Sequence, residues 1–195
     1  LLFGDEVPSG KLPSTFPVAA GQEPIYYNAH YPERPASGHE VLLNDIELEA
    51  GQTSLGCSAY WLDAGFGPLY PFGYGLSYSE FEYSDLKVLT PTVELGGVVK
   101  VSVKVTNKGK YDGEDVAQLY VRDVVAETTR PMRELKGFER FSLKAGESKV
   151  ITFEVPTSDL AYCHQDMSWK ADKGDFKVWV GADSNATLEG VFTIK

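Results

Sequence analysis

Few of the chain's 28 carboxylates are spaced to work as a pair. Hydrolysis of a glycosidic bond takes two carboxyl groups about 5 to 9 Å apart across a sugar, one acting at carbon or water and one moving a proton. Asp63 with Glu33 is the pair that the sequence leaves open. Most other carboxylates fall on turns and strand faces, and no complete catalytic pair is expected in this chain. Two rings, Trp61 and Phe66 in AYWLDAGFGPLYPF, are better candidates for binding. A sugar presents apolar C–H faces on which aromatic rings stack while polar groups fix its orientation. The competing use of both rings is to pack a linker onto a neighbouring domain. Arg34, followed by Pro35, offers a rigid fork for a hydroxyl or a carboxylate, with a surface ion pair as its plainer use.

Other chemistries lack their spacing. His30, His39 and His164 are isolated, in no HxH or HExxH frame, so no metal site is expected. Cys57 and Cys163 stand in no CxxC array, which argues against a zinc site and a disulfide framework; a Cys57–Cys163 bond is the minor alternative. Ser9-Gly10-Lys11 lacks the glycine frame of a phosphate loop, and no cofactor is expected. Asn185-Ala186-Thr187 spells a glycosylation sequon. A net charge of −10 and a pI near 4.8 argue against nucleic acid and against anionic membrane surfaces. No apolar run approaches the roughly 18 residues of a membrane span.

The elements that must position these residues fall into three stretches. Residues 1 to about 30 are dense in Pro and Gly and too poor in apolar periodicity to fold alone. Leu1 to Phe3 read as the tail of an apolar helix, and Ser14 to Phe16 as a short strand ended by Pro17. The opening LLFGDEVPSG has no basic stretch or apolar core of a signal peptide and reads as a chain entered part-way through a domain. Residues 31 to 80 form a long, irregular, aromatic-rich connection, of the length that is usually functional or draped over a partner. Within it Val41 to Leu48 reads as a short strand or helix. Its end, YPFGYGLSYSEF, brackets Phe72, Tyr74 and Tyr78 with glycines, as if to lock a linker in place.

Residues 81 to 195 read as a complete all-β unit. Val99, Val101, Val103 and Val105 alternate with Lys100, Ser102, Lys104 and Thr106, the pattern of a strand with one wet face. Asn107 to Lys110 and Lys144 to Glu147 read as turns. Arg130-Pro131 and Lys136-Gly137-Phe138 read as shaping a corner. About seven short strands predict an immunoglobulin-like or fibronectin type III-like β-sandwich. The fold class is therefore mainly β, and alternation in KVWVG points Trp179 inward, leaving the sandwich without an aromatic platform.

Five strings, LLFGDEVPSGKLPSTFP, YPFGYGLSYSEF, DGEDVAQLYVRD, TRPMRELKGFERFSLKAGES and KGDFKVWVGADS, follow in order and in register. Together they resemble the C-terminal end of glycoside hydrolase family 3, β-glucosidase type. The resemblance implies that residues 1–30 finish an α/β sandwich domain, 31–80 link, and 81–195 form a fibronectin type III-like domain. It places both catalytic carboxylates, a nucleophile and an acid/base, upstream of Leu1. The implied partners are those upstream catalytic domains and a β-glucoside or oligosaccharide substrate, with a homodimer left open. The implied location is periplasmic or secreted. The chain departs from the family pattern between Pro32 and Pro68, where Tyr60 stands at the position relatives give to Arg and Val41 to Gly51 looks inserted. Two alternatives remain: a free-standing sugar-binding or adhesive sandwich, and a β-xylosidase or N-acetylglucosaminidase of the same family.

Overall fold

The computed structural model describes residues 1–30, 32, 34–50 and 58–195. The Glu33 half of the candidate carboxylate pair and the Cys57 half of the candidate disulfide lie outside the described residues. The strands are β1 (Phe81–Val88), β2 (Thr92–Val93), β3 (Val98–Asn107), β4 (Gly113–Asp123), β5 (Glu134–Leu143), β6 (Ser148–Pro156), β7 (Tyr162–Cys163), β8 (Trp169–Lys170), β9 (Gly174–Gly181) and β10 (Leu188–Ile194). Seven of the ten exceed two residues, as the turn spacing predicts. They build a three-stranded sheet ordered β1-β3-β6 facing a five-stranded sheet ordered β2-β10-β9-β4-β5, with β7-β8 as a separate small hairpin. Pairing is antiparallel except for β2 beside β10.

Strand alternation supplies the core. Val99, Val101, Val103 and Val105 of β3 face Leu119 and Val121 of β4, Val178 and Val180 of β9, and Phe176 stacked on Phe192 at 5.1 Å. Both predicted turns form, and one residue ties them together. Asn107 is fully buried, and its Nδ2 donates to the carbonyls of Tyr111 (2.8 Å) and Leu143 (3.1 Å). Its Oδ1 accepts from the Gly109 N–H at 2.9 Å. The corner at Lys136-Gly137 is a bulge: Leu119 pairs with Gly137 but Tyr120 with Leu135, so Lys136 is the extra residue.

The five-stranded sheet is buried on both faces along β4. Tyr120 and Trp179 form a second apolar cluster on its outer face with Ala186, against Tyr27, Phe72 and Leu135. Trp179 is buried, but the expected inward alternation is wrong. Val178 and Val180 take the inner face, and Trp179 points outward, where Arg133 lies 4.5 Å above its ring. Trp169, on the small hairpin, is 73% exposed, so one ring of the sandwich does face solvent.

The cover is made by residues 7–30 and 66–78. Phe72 stacks on Tyr27 at 4.2 Å, and Tyr27 meets Tyr120 edge-on at 5.9 Å. Of the three glycine-bracketed rings, Phe72 is therefore the lock. Tyr74 stacks on Tyr70 at 5.0 Å, and the exposed Tyr78 donates to the Leu1 carbonyl. Leu1–Phe3 form an exposed turn and not the end of a helix, and Val41 to Leu48 hold a single 3₁₀ turn at Leu43–Asp45. The backbone crosses the sheet at Gly73, whose φ of +78° disfavours any side chain. A Cβ there would overlap the Gln118 amide, which donates to the carbonyls of Gly73 (3.1 Å) and Ala182 (2.6 Å).

Gly73→Ala should consequently cost about 2 to 3 kcal/mol, combining a left-handed alanine with a displaced, buried Gln118 amide. Thermal unfolding measures the loss, and limited proteolysis should show residues 1–78 released first. Unchanged stability would show that the crossing does not depend on this glycine.

Candidate functional site

The aromatic connection holds its shape through backbone bonds at both ends and in the middle. At the start, Pro35 bridges Ala59, and the Ala59 N–H donates to the Arg34 carbonyl at 2.7 Å. At the end, Phe16 bridges Tyr70, with N–H to O distances of 2.9 Å from Phe16 to Tyr70 and from Leu69 to Phe16. Between them Trp61 and Gly65 exchange two hydrogen bonds, at 3.1 and 2.7 Å, around a tight turn. Gly65 closes it at φ +85°, a conformation glycine supplies without a steric penalty. Leu62 accepts from the Leu43 N–H at 2.8 Å, tying the turn to the 3₁₀ segment.

Trp61, Phe66 and Arg34 therefore share one loop cluster, though not one stack. Phe66 stacks on Tyr60 at 5.6 Å, and the Tyr60 hydroxyl donates to the Val41 carbonyl at 3.0 Å. Phe66 is 41% exposed and Trp61 half-buried, so each ring keeps a free portion. Arg34 is exposed, and its guanidinium makes no ion pair among the described residues. Asp63 stands exposed at the tip of the Trp61–Gly65 turn. Glu40 accepts from the N–H groups of Ser37 and Gly38 at 2.8 and 3.0 Å. The Ser37 N–H, the largest influence, holds its carboxyl down at about 2, so Glu40 stays ionised and is no proton donor near neutrality.

The residue that anchors this cluster was hidden in the sequence. Gln22 is buried, accepts from the Val18 N–H at 2.6 Å and donates to the Gly67 carbonyl at 3.1 Å. A glutamine in a Pro/Gly-rich stretch carries no signal of that role. Lys11 is another such tie, pairing with Asp115 at 2.6 Å, while Asp115 accepts from the Tyr83 hydroxyl at 2.9 Å.

A second group of ionisable residues lies at the β4 end of the sandwich. His164 is buried, with Nδ1 2.5 Å from Glu127 and Nε2 3.2 Å from the Lys170 carbonyl. Its ring stacks on Tyr162 at 4.2 Å, whose hydroxyl donates to Asp172 and whose face carries Arg130 at 4.5 Å. Asp123 nearby leaves Oδ2 buried without a hydrogen-bond partner. Among the described residues no group of three or more His, Cys, Asp or Glu could hold a metal ion.

The sandwich and its strap define the class of the chain: residues 115–184 match the fibronectin type III-like domain. Over its whole length the chain is 40% identical to a periplasmic β-glucosidase of Salmonella typhimurium, covering 24% of that protein. It is 38% identical over 95% of its length to a β-xylosidase of Formosa agariphila, covering 23% of it. A crystal structure of a β-glucosidase mutant from Listeria innocua with laminaribiose superposes on all of the chain with a TM-score of 0.85 at 35% identity, over 25% of that structure. The chain thus spans about a quarter of the length of the curated relatives it matches. Along its own length the chain is therefore similar to one quarter of glycoside hydrolases of the β-glucosidase type.

The Asp123 environment yields a pH prediction. Burial, the largest influence, pushes its carboxyl up to about 6 from an ordinary 3.8. An acid whose folded pKa is raised binds more protons folded than unfolded between those values, so stability falls as pH rises through that window. The cost is absent below about 4 and complete above about 6. Asp123→Asn should accordingly raise the Tm at pH 7.5 and leave it nearly unchanged at pH 4. Equal shifts at both pH values would show that titration of Asp123 is not the source.

Proposed function

We propose that this chain is the non-catalytic C-terminal segment of a retaining, exo-acting β-glucosidase that removes terminal non-reducing β-D-glucosyl residues. Both catalytic carboxylates reside in the preceding domains, and the segment works within a periplasmic or secreted enzyme. The observation that carries this reading is the end-to-end match to one quarter of β-glucosidases, strap and sandwich together. A free-standing binding module has no use for the strap's exposed apolar residues, among them Phe16, Val18 and Leu69. Those side chains fit a body that continues upstream. The match to a β-xylosidase at similar identity keeps a pentose at the same site as the second reading.

In a retaining mechanism one carboxylate attacks the anomeric carbon and the other protonates the leaving oxygen, then activates water. The leaving sugar must be held on the far side of the scissile bond. The Trp61–Gly65 turn is suited to that task. Its rings keep exposed portions, Arg34 adjoins it with no ion pair among the described residues, and backbone bonds fix the turn without a regular element. We assign Trp61, Phe66 and Arg34 to the leaving-group side on this basis.

Two measurements test the proposal. The 195-residue chain should not hydrolyse aryl β-glucosides at any pH, whereas the intact enzyme should; turnover that co-elutes with the short chain would overturn the assignment of chemistry upstream. In the intact enzyme, Trp61→Ala should lower kcat/KM for a disaccharide about tenfold, the loss of roughly 1 kcal/mol or slightly more of ring stacking. An aryl glucoside with a small leaving group should be little affected. An unchanged preference ratio at matched folded fraction would leave Trp61 with packing alone.

A further inference from the structure

The strap covers only part of the outer face of the five-stranded sheet. Phe72 and Tyr27 close over Tyr120 and Leu135. Opposite Gln118 on β5, Phe138 stands 71% exposed. Between Phe138 and the strap runs a groove of about 540 Å³, with Leu12, Pro13, Phe72, Val116, Leu135 and Phe138 along it. A phenylalanine on the outer face of a β-strand, beside an open apolar groove, costs solubility unless something covers it.

We propose that this groove seats an apolar segment of the upstream catalytic part of the same polypeptide, with Phe138 as its anchor. The inference rests on the reading given under Proposed function and adds the surface by which the sandwich is held to the catalytic body. Three observations select this occupant. First, the groove is continuous with an interface already formed, because Phe72 and Leu135 belong both to it and to the cluster under the strap. Residues Ser9 to Pro13 form its rim, so the strap that leads back toward the preceding domain runs along its edge.

Second, the groove has few free polar groups with which to orient a sugar. The Gln118 amide nitrogen is spent on the Gly73 and Ala182 carbonyls, and its oxygen on the Tyr120 hydroxyl at 2.5 Å. Arg140 at the rim is paired with Glu114. A carbohydrate would lose hydroxyl hydration with little return, whereas an aliphatic or aromatic side chain loses nothing.

Third, the groove is small. Free partners need roughly 800 Å² buried on each side to form a stable complex, far more than one ring and five neighbours supply. A segment tethered through the strap needs much less, because its effective concentration is already high. That favours the same polypeptide over a second copy of the chain.

The test places a photoreactive benzophenone side chain at position 138 of the intact enzyme and maps the cross-link by mass spectrometry. The expected product is an intramolecular link to a residue upstream of Leu1. A link between two enzyme copies, or no link at all, overturns the proposal. Phe138→Asp provides the second readout. It should shorten the half-life of the intact enzyme at an inactivating temperature by roughly fivefold to tenfold, as losses of anchoring aromatics do. The Tm of the 195-residue chain should stay within about 1 °C, because the side chain is solvated there. Equal destabilisation of both, or of neither, also overturns it. Activity of the unsubstituted intact enzyme on β-glucosides reads the underlying functional assignment separately, since a cross-link forms whatever the substrate is.

Discussion

The rest of the structure depends on one constraint: the five-stranded sheet is apolar on both faces. A two-layer sandwich normally leaves its outer faces wet and alternates polar with apolar residues accordingly. Here Tyr120 and Trp179 break that alternation on adjacent strands, Tyr120 being the register partner of Trp179. Two such rings expose several hundred Å² of mostly apolar surface unless covered. The strap supplies the cover, and Tyr27 and Phe72 complete a four-ring cluster. The strap therefore belongs to the energetics of the sandwich even though it contributes no strand to it.

Covering a sheet with an irregular chain raises a polar problem, since such a segment brings carbonyl and N–H groups that water no longer reaches. The structure meets it with side chains and single backbone bonds and not with a continuous ladder. Gln118 satisfies Gly73 and Ala182, the Ser184 N–H donates to the Phe72 carbonyl at 2.9 Å, and Arg133 donates to the carbonyls of Ser184 and Ala186 at 2.7 Å each. Burial lowers the pKa of Arg133 and raises that of Tyr120. A buried partner left unsatisfied costs more than the net value of the bond it lost. The crossing is consequently intolerant of change at Gly73, which lies against the buried Gln118 amide.

The strands with one wet face were legible because a period of two is then written directly into the sequence, as in Val99 to Val105. Trp179 was misread for the same reason. Alternation gives the relative side of neighbours, and where both faces are covered an aromatic between two valines can take either. The strap was not legible beyond its glycines and rings, since Gln22, Tyr27 and Lys11 act through partners 45 to 108 residues away that no local pattern encodes. Trp61, Phe66 and Arg34 were visible as residue types. Their grouping in one loop cluster depends on bridges such as Pro35 to Ala59 and Phe16 to Tyr70, which are long-range pairings of single residues.

That anchoring explains how an irregular connection can carry positioned rings. A loop of this length would ordinarily be costly to order, because closure entropy and backbone freedom both oppose it. Here it is cut into short spans. Gln22 holds Gly67, Phe16 holds Tyr70, Ala29 accepts from the Met132 N–H at 2.8 Å, and Arg34 holds Ala59. Between residues 16 and 34, and again between 59 and 70, these ties leave pieces only a few residues long. The Trp61–Gly65 turn is itself a five-residue span between two such ties, so its rings are ordered at small further cost. The sheet under the strap fixes the far ends of these ties, through Phe72 on one side and the His30–Pro131 bridge on the other. The sandwich thereby sets the position of a loop that has no regular element of its own.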